Sequence, residues 1–370
     1  MRLDLYRKTK DKNIGINYAE YQRGAVVLRS LPRYILMELT QECNLQCEMC
    51  RGPRNGVTPS RMDDTLFRRV ADELFPTAEL VDLRGWGESL LLPNIVELIR
   101  YTCNLGCNVR FVTNLSFRRE RVLEALAEHH CYVAVSLDSA EEKILQDLRQ
   151  GASLTRIQRN LQFLVKQYLT LYGNTNRIVI YCTVQQPALA TLDSLITFAS
   201  EVGVHEVRIA TVITKKPHLS LSGCDESVER ALKSVEIAAQ RHGIRVVIAT
   251  HFAGLPECKS NKRACIRPWS FACINVGGYV TFCDHLIGPS AQKYIIGDLR
   301  TNSFQEIWNS ESWQELRREH WIDRRAGAPL FLHCDWCYRK RFVEFEDQFF
   351  PDLATSKVIL PANLGGGYAY

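Results

Sequence analysis

The chain has 370 residues, 46% of them hydrophobic and 24% charged, and a formal net charge of +5. That size and apolar content suffice for one large core and a smaller one. No window reaches the roughly 20 uninterrupted apolar residues of a spanning helix, and the polar start MRLDLYRKTKDKN is no signal peptide, so a cytoplasmic protein without a membrane is expected. The small excess of basic residues is interleaved with acids, which argues against a nucleic-acid face.

Residues 1–33 show little hydrophobic periodicity and read as an N-terminal arm ended by Pro32. The β-rich run YILMELT (34–40) then delivers the chain to QECNLQCEMCRG (41–52), where Cys43, Cys47 and Cys50 are separated by three residues and by two. Three thiolates so close can hold three irons of a cubane cluster and leave the fourth iron open. A zinc loop is the competing reading, but zinc wants a fourth ligand nearby, and neither Cys nor His follows Cys50 before Cys103.

From there strands and helices alternate. Strands are expected at 79–88, 109–116, 131–139, 177–184 and 204–212, and helices at 65–75, 93–101, 118–129, 140–170, 191–202 and 225–242. With 34–40 as the first, six strands precede residue 213, followed by a further apolar run at 244–250. Such alternation predicts an α/β fold of parallel strands joined by helices, with chemistry at the carboxyl ends of the strands. The second strand leads into Gly85-Trp86-Gly87-Glu88, the third ends in Thr113-Asn114, and the fourth ends in Ser136-Leu137-Asp138-Ser139.

Past residue 250 the composition shifts to RACIRPWSFACINVGGYVTFCDH, which reads as a hairpin turning at Gly277-Gly278. Cys265 precedes Gly278 by twelve intervening residues, Gly278 precedes Cys283 by four, and Cys334-Asp335-Trp336-Cys337 follows far downstream. These four thiols can close one site, for zinc or for an iron-sulfur cluster.

The cysteine loop and the strand-end motifs resemble the radical S-adenosylmethionine (SAM) superfamily, and the second cysteine set resembles its C-terminal SPASM domain. No cysteine follows Cys337, which is similar to the shortened, twitch form found in 2-deoxy-scyllo-inosamine dehydrogenase. The resemblance implies a partial (β/α)6 TIM-type barrel over 34–250, a twitch (SPASM-like) hairpin-plus-helix domain over 251–340, and a tail over 341–370. It implies two [4Fe-4S] clusters, one binding SAM through Cys43, Cys47 and Cys50 and one auxiliary on Cys265, Cys283, Cys334 and Cys337. Gly85, Gly87 and Glu88 stand where the family holds the SAM amino group. Thr113, Asn114, Ser136 and Asp138 stand where it contacts the carboxylate or ribose, although a Ser or Asp there can equally cap the next helix. Met49 takes the place of an aromatic that packs on adenine.

The implied chemistry starts with a 5'-deoxyadenosyl radical. The closest likeness implies oxidation of a secondary alcohol in a carbohydrate-like substrate, a sugar or aminocyclitol of antibiotic biosynthesis, with the auxiliary cluster taking an electron. A flavodoxin- or ferredoxin-type reductant is the expected partner. Candidate bases are Asp284, His285 and Arg208 with its neighbours. The alternatives are an epimerase or decarboxylase of a carbohydrate, or a SPASM enzyme that modifies ribosomal peptides. The peptide reading ranks second because 33 leading residues are few for a leader-binding domain.

Overall fold

A computed structural model describes residues 2–50, 52, 58–248, 265–284, 294–321 and 357–359. His285, Cys334 and Cys337, and all of the tail except 357–359, lie outside the described residues. In chain order the elements begin with α1 (Arg2–Gln22), β1 (Tyr34–Met37), β2 (Gln46–Cys47), α2 (Asp64–Leu74), β3 (Leu80–Asp82), α3 (Ile95–Asn104) and β4 (Asn108–Thr113). They continue with α4 (Glu120–Glu128), β5 (Tyr132–Ser136), α5 (Glu142–Leu148), β6 (Arg149–Gln150), α6 (Leu154–Tyr172), β7 (Ile178–Val184), α7 (Leu192–Glu201), β8 (Glu206–Thr211), α8 (Asp225–His242) and β9 (Arg245–Ile248). The last are α9 (Arg267–Ser270), β10 (Phe271–Ile274), β11 (Tyr279–Thr281), β12 (Gly297–Asp298), α10 (Phe304–Trp308), α11 (Glu311–Trp321) and β13 (Lys357–Ile359).

The chain packs as two compact units, the first formed by Met1–Cys43, Arg51–Phe111 and Asn261–Pro351, the second by Asn44–Cys50, Val112–Ser260 and Asp352–Tyr370. In the first unit β1 is buried at every residue and pairs in parallel with β3 on one side and with β10 on the other. A strand covered on both faces reads as an unbroken apolar run, which is why YILM was legible. The hairpin β10–β11 is antiparallel, with Cys273 opposite Thr281, and turns through Gly278 at φ +82. The Asn275 carboxamide closes the turn by accepting from the amides of Gly277 and Tyr279, both at 3.0 Å.

The N-terminal stretch expected as an arm is mostly one helix, α1, and it docks largely through polar side chains. Lys10, Asn13, Asn17 and Glu20 are all buried at helical spacing. Asn13 exchanges hydrogen bonds with the backbone of Leu31, Asn17 donates to Ser30 Oγ (2.9 Å) and Trp269 O (2.6 Å), and Glu20 accepts from the amides of Arg29 and Ser30. Lys10 Nζ donates to Phe75 O at 2.5 Å and lies 3.6 Å from Cys107 Sγ. Burial pushes the Cys107 thiol up to about 12, so it sits there as a small neutral side chain.

In the second unit β5, β7, β8 and β9 run parallel in that order, and β13 closes the edge antiparallel to β9. The apolar run that begins at 244 thus contributes one more parallel strand, β9, over Arg245–Ile248. β7 alternates buried with half-buried residues. Cys182 falls on its buried face with Ile180 and Val184.

Candidate cofactor sites

Strand β3 is shorter than expected, and the chain after Asp82 leaves it to form the Gly85-Trp86-Gly87-Glu88 turn. The Glu38 carboxylate just beyond β1 accepts from Trp86 N (3.0 Å) and from Val276 N in the hairpin turn (3.1 Å), tying the two turns together. Burial raises its proton affinity, against the pull of those two amides. A Cβ on Gly85 would strike the Glu38 side chain, and one on Gly87 would come to 2.6 Å from Thr40 O and 2.7 Å from Gln41 C. Gly87 N and Glu88 N donate to Thr40 O (3.2 Å) and Glu42 O (2.8 Å). The glycines therefore let the turn lie directly on the segment that enters the cysteine loop. Glu88 is 2% exposed, and its Oε1 accepts from Leu90 N at 3.3 Å.

Cys43 ends the preceding stretch of the first unit, and Cys47 and Cys50 belong to the second. None of the three is in a disulfide, and Cys43 is exposed while the others are half-buried. The loop is fastened by the antiparallel β2–β6 pair, with Cys47 opposite Arg149, and by Glu48 N donating to Leu148 O (3.0 Å). Asp138, fully buried, grips Arg149 at both oxygens (2.8 and 3.0 Å) and also accepts from Thr183 N (2.9 Å) and Gln185 Nε2 (3.2 Å). The Arg149 fork extends to Cys47 Sγ at 3.9 Å. Burial raises the Cys47 thiol and the Arg149 charge opposes it. The structure thus engages Asp138 through an arginine that sequence reading overlooked, eleven residues downstream.

Asn114 likewise holds the loop. Its Nδ2 donates to Asn44 Oδ1 (2.9 Å), and Asn44 donates in turn to Ser116 O (2.8 Å). The Thr113 hydroxyl accepts from Leu115 N (3.0 Å), supporting a backbone with φ +51 at Leu115, a costly conformation for a branched residue. Ser136 is half-buried at the end of β5. Met49 packs against Leu148, Ala188 and Leu219. Glu48 accepts from Lys216 Nζ (3.2 Å) and faces His218 Nε2 (2.8 Å). Arg208 pairs with Glu206, which also pairs with Arg245, and its guanidinium lies 5.7 Å from the Tyr181 ring centroid.

The hairpin site brings Cys265 and Cys283 to one guanidinium. Arg267 Nη1 donates to Cys283 Sγ at 3.1 Å and pairs with Asp284. Burial works against charge on Arg267, yet Asp284, Cys283 and Cys265 together outweigh it and keep it protonated. Asp284 also pairs with Arg84 (3.1 Å), which pairs with Asp82 (3.0 Å). Asp82, fully buried, further holds Arg110 (3.1 Å) and the Tyr34 hydroxyl (2.8 Å). Asp284 is therefore set between two guanidinium groups, a setting that stabilises the carboxylate form.

Among the described residues no three Cys, His, Asp or Glu side chains converge as the ligands of a single metal ion do. A cubane takes each thiolate on a different iron and so spaces them apart. Cysteines outside any disulfide, the guanidinium beside Cys47 and the one beside Cys283 fit anionic sulfur clusters, whose thiolate shell gains from nearby donors. Among the described residues no helix is long and apolar enough to cross a membrane.

Residues 37–186 match the radical SAM superfamily, and residues 265–338 match SPASM, an iron-sulfur cluster-binding domain. The chain is 22% identical to an AdoMet-dependent heme synthase of Methanosarcina barkeri, over 87% of this chain and 95% of that protein. It is 27% identical to a PqqA peptide cyclase of Bradyrhizobium diazoefficiens, over 86% of this chain and 83% of that one. Its fold is similar to Streptococcus suis SuiB bound to S-adenosylmethionine, with a TM-score of 0.64 at 14% identity over 83% of this chain and 72% of SuiB. The fold is thus the α/β, TIM-like one of these enzymes. The chain carries a radical SAM region, 37–186, followed by a C-terminal SPASM region, 265–338, domains that bind S-adenosylmethionine with a [4Fe-4S] cluster and auxiliary iron-sulfur clusters respectively.

Proposed function

We propose that this chain is a radical SAM enzyme that modifies a peptide. The observation that carries the reading is the similarity to a peptide cyclase along 86% of the chain, across both the radical SAM and SPASM regions. Neither curated relative above is named for a carbohydrate, so the aminocyclitol dehydrogenase gives way to what had been its alternative. Cys43, Cys47 and Cys50 hold the SAM cluster, and Cys265, Cys283, Cys334 and Cys337 hold an auxiliary one. When bound, SAM and its cluster supply the 5'-deoxyadenosyl radical that removes hydrogen from substrate.

The chain's own residues position this chemistry. Glu88 takes the ammonium of SAM, a charge-assisted contact for a carboxylate withdrawn from water. Asp138 orients Arg149 behind Cys47, and Asn114 fixes the loop through Asn44. A low-potential flavodoxin or ferredoxin supplies electrons.

The test is anaerobic reconstitution with SAM, dithionite and short peptides encoded beside the chain's own gene, with Cys47→Ala as control. Peptide-dependent 5'-deoxyadenosine together with a peptide lighter by two hydrogens is expected. If 5'-deoxyadenosine forms but rises only with a sugar alcohol or a tetrapyrrole, the peptide assignment is wrong.

A further inference from the structure

The first unit contains a row of buried charges that neither family nor motif calls for. It starts at Asp82 on β3, runs through Arg84 to Asp284, and ends at Arg267 with its Nη1 3.1 Å from Cys283 Sγ. Arg110 joins it at Asp82. Side-chain exposures are 0% for Asp82, 2% for Arg110, 18% for Arg84, 15% for Asp284 and 10% for Arg267. Tyr34, at the Asp82 end, is kept neutral by burial, so it adds no charge.

Three guanidinium groups thus share two carboxylates. At one end of the row Arg267, already paired with Asp284, is also in contact with the Cys283 sulfur. Burying a guanidinium is expensive unless an anion meets it. Asp284 meets Arg267 on one side, and a metal-bound thiolate at Cys283 is a far stronger acceptor for the Nη1 that lies 3.1 Å away than a neutral thiol. Two further contacts lock the arginine. Its guanidinium stacks 5.0 Å from the Phe271 ring centroid, and its own helix α9 runs straight into β10, which pairs with β1.

We propose that Arg267 is a positioning residue for the auxiliary cluster, donating a charge-assisted hydrogen bond to the Cys283 sulfur and raising that cluster's reduction potential, with Asp284 and Arg84 holding it in place. Donors to ligand sulfur and nearby positive charge stabilise the reduced, more negative cluster. Arg84 immediately precedes Gly85, so the same row ties the SAM-side turn to the auxiliary ligand. The inference rests on the reading of Cys283 as a cluster ligand.

The experiment uses the full chain with Cys43, Cys47 and Cys50 all changed to Ala, so that only the auxiliary centre loads. Iron content, the electron paramagnetic resonance of the reduced centre and a redox titration are then compared with and without Arg267→Gln and, separately, Arg84→Gln. With about four irons retained in each protein, Arg267→Gln should lower the midpoint by at least about 59 mV, a tenfold loss in electron affinity for a one-electron couple. Its g values should shift as well. Arg84→Gln, one ion pair removed from the sulfur, should lower the midpoint in the same direction by less. Midpoints unchanged in both variants overturn the proposal. If Arg267→Gln alone fails to load, the Arg84→Gln midpoint decides. If the triple-Ala parent itself loads no iron, Cys283 is not a cluster ligand and the underlying reading falls with the proposal, an outcome distinct from a loaded centre whose potential does not move.

Discussion

Asp138 shows how much one side chain can carry when it is fully buried and every acceptor is used. Its carboxylate meets Arg149 at both oxygens and takes two further donors, so the charge is compensated only while Arg149 stays. Asp138→Asn removes the anion and leaves a buried guanidinium facing Cys47, a change that costs about 3–5 kcal/mol where a buried pair is broken. The denaturant midpoint should fall accordingly, and the iron held after reconstitution should fall with it, because Arg149 and Cys47 are opposite each other in the β2–β6 pair. Gly87 makes the complementary argument from empty space. Alanine there drives a methyl to 2.6 Å from Thr40 O and 2.7 Å from Gln41 C, both backbone atoms that cannot rotate away. Gly87→Ala should lose about 1–3 kcal/mol on thermal unfolding, the usual cost of overpacking. It should also impair cluster loading, since the displaced segment leads into Cys43.

At the level of elements, the pattern of what could be read follows from which interactions leave a local trace. Strands β1, β5, β7 and β8 are buried on one or both faces, so their apolar runs announced them, and α8 was bounded correctly at 225–242. Helix α1 gave no such trace because it docks through Lys10, Asn13, Asn17 and Glu20, whose partners are backbone groups of Leu31, Ser30, Trp269 and Phe75. Hydrophobic periodicity is blind to a helix that is held by hydrogen bonds. The parallel pairing of β10 with β1 was also invisible, being a contact between residues more than two hundred positions apart. At the candidate sites, spacing singled out the cysteines and glycines but gave no hint of Arg149, Arg84 and Arg267, since an arginine shows its partner only in three dimensions. Helix α11 offers a test at this scale. Burial lowers His320 from 6.5 to about 4, against a helpful bond from Leu316 O. A histidine whose folded value is depressed stabilises the fold above its unfolded value and loses that contribution as pH falls toward the folded one. The chain should therefore weaken by ~3 kcal/mol between pH 6.5 and about 4. His320→Leu should flatten that slope in urea titrations taken across the window.

For the molecule as a whole, the two cysteine sets predict separable chemistry, because they occupy different parts of the chain and different family domains, 37–186 and 265–338. Two cubanes place about eight irons on each reconstituted chain. Changing Cys43, Cys47 and Cys50 to Ala should leave about four irons and abolish SAM cleavage, since no open iron remains for SAM. Cys334→Ala should leave the SAM cluster loaded and still able to form 5'-deoxyadenosine, yet the modified peptide should fail to accumulate. Those two readouts move independently only if initiation belongs to the first set and completion of the substrate reaction to the second. If Cys334→Ala turned substrate over at the parent rate, the SPASM cysteines would be structural, and the charged row ending at Arg267 would serve the fold of the hairpin rather than the flow of electrons. If the first triple variant kept all of its iron, the cysteine loop would not be where the radical begins.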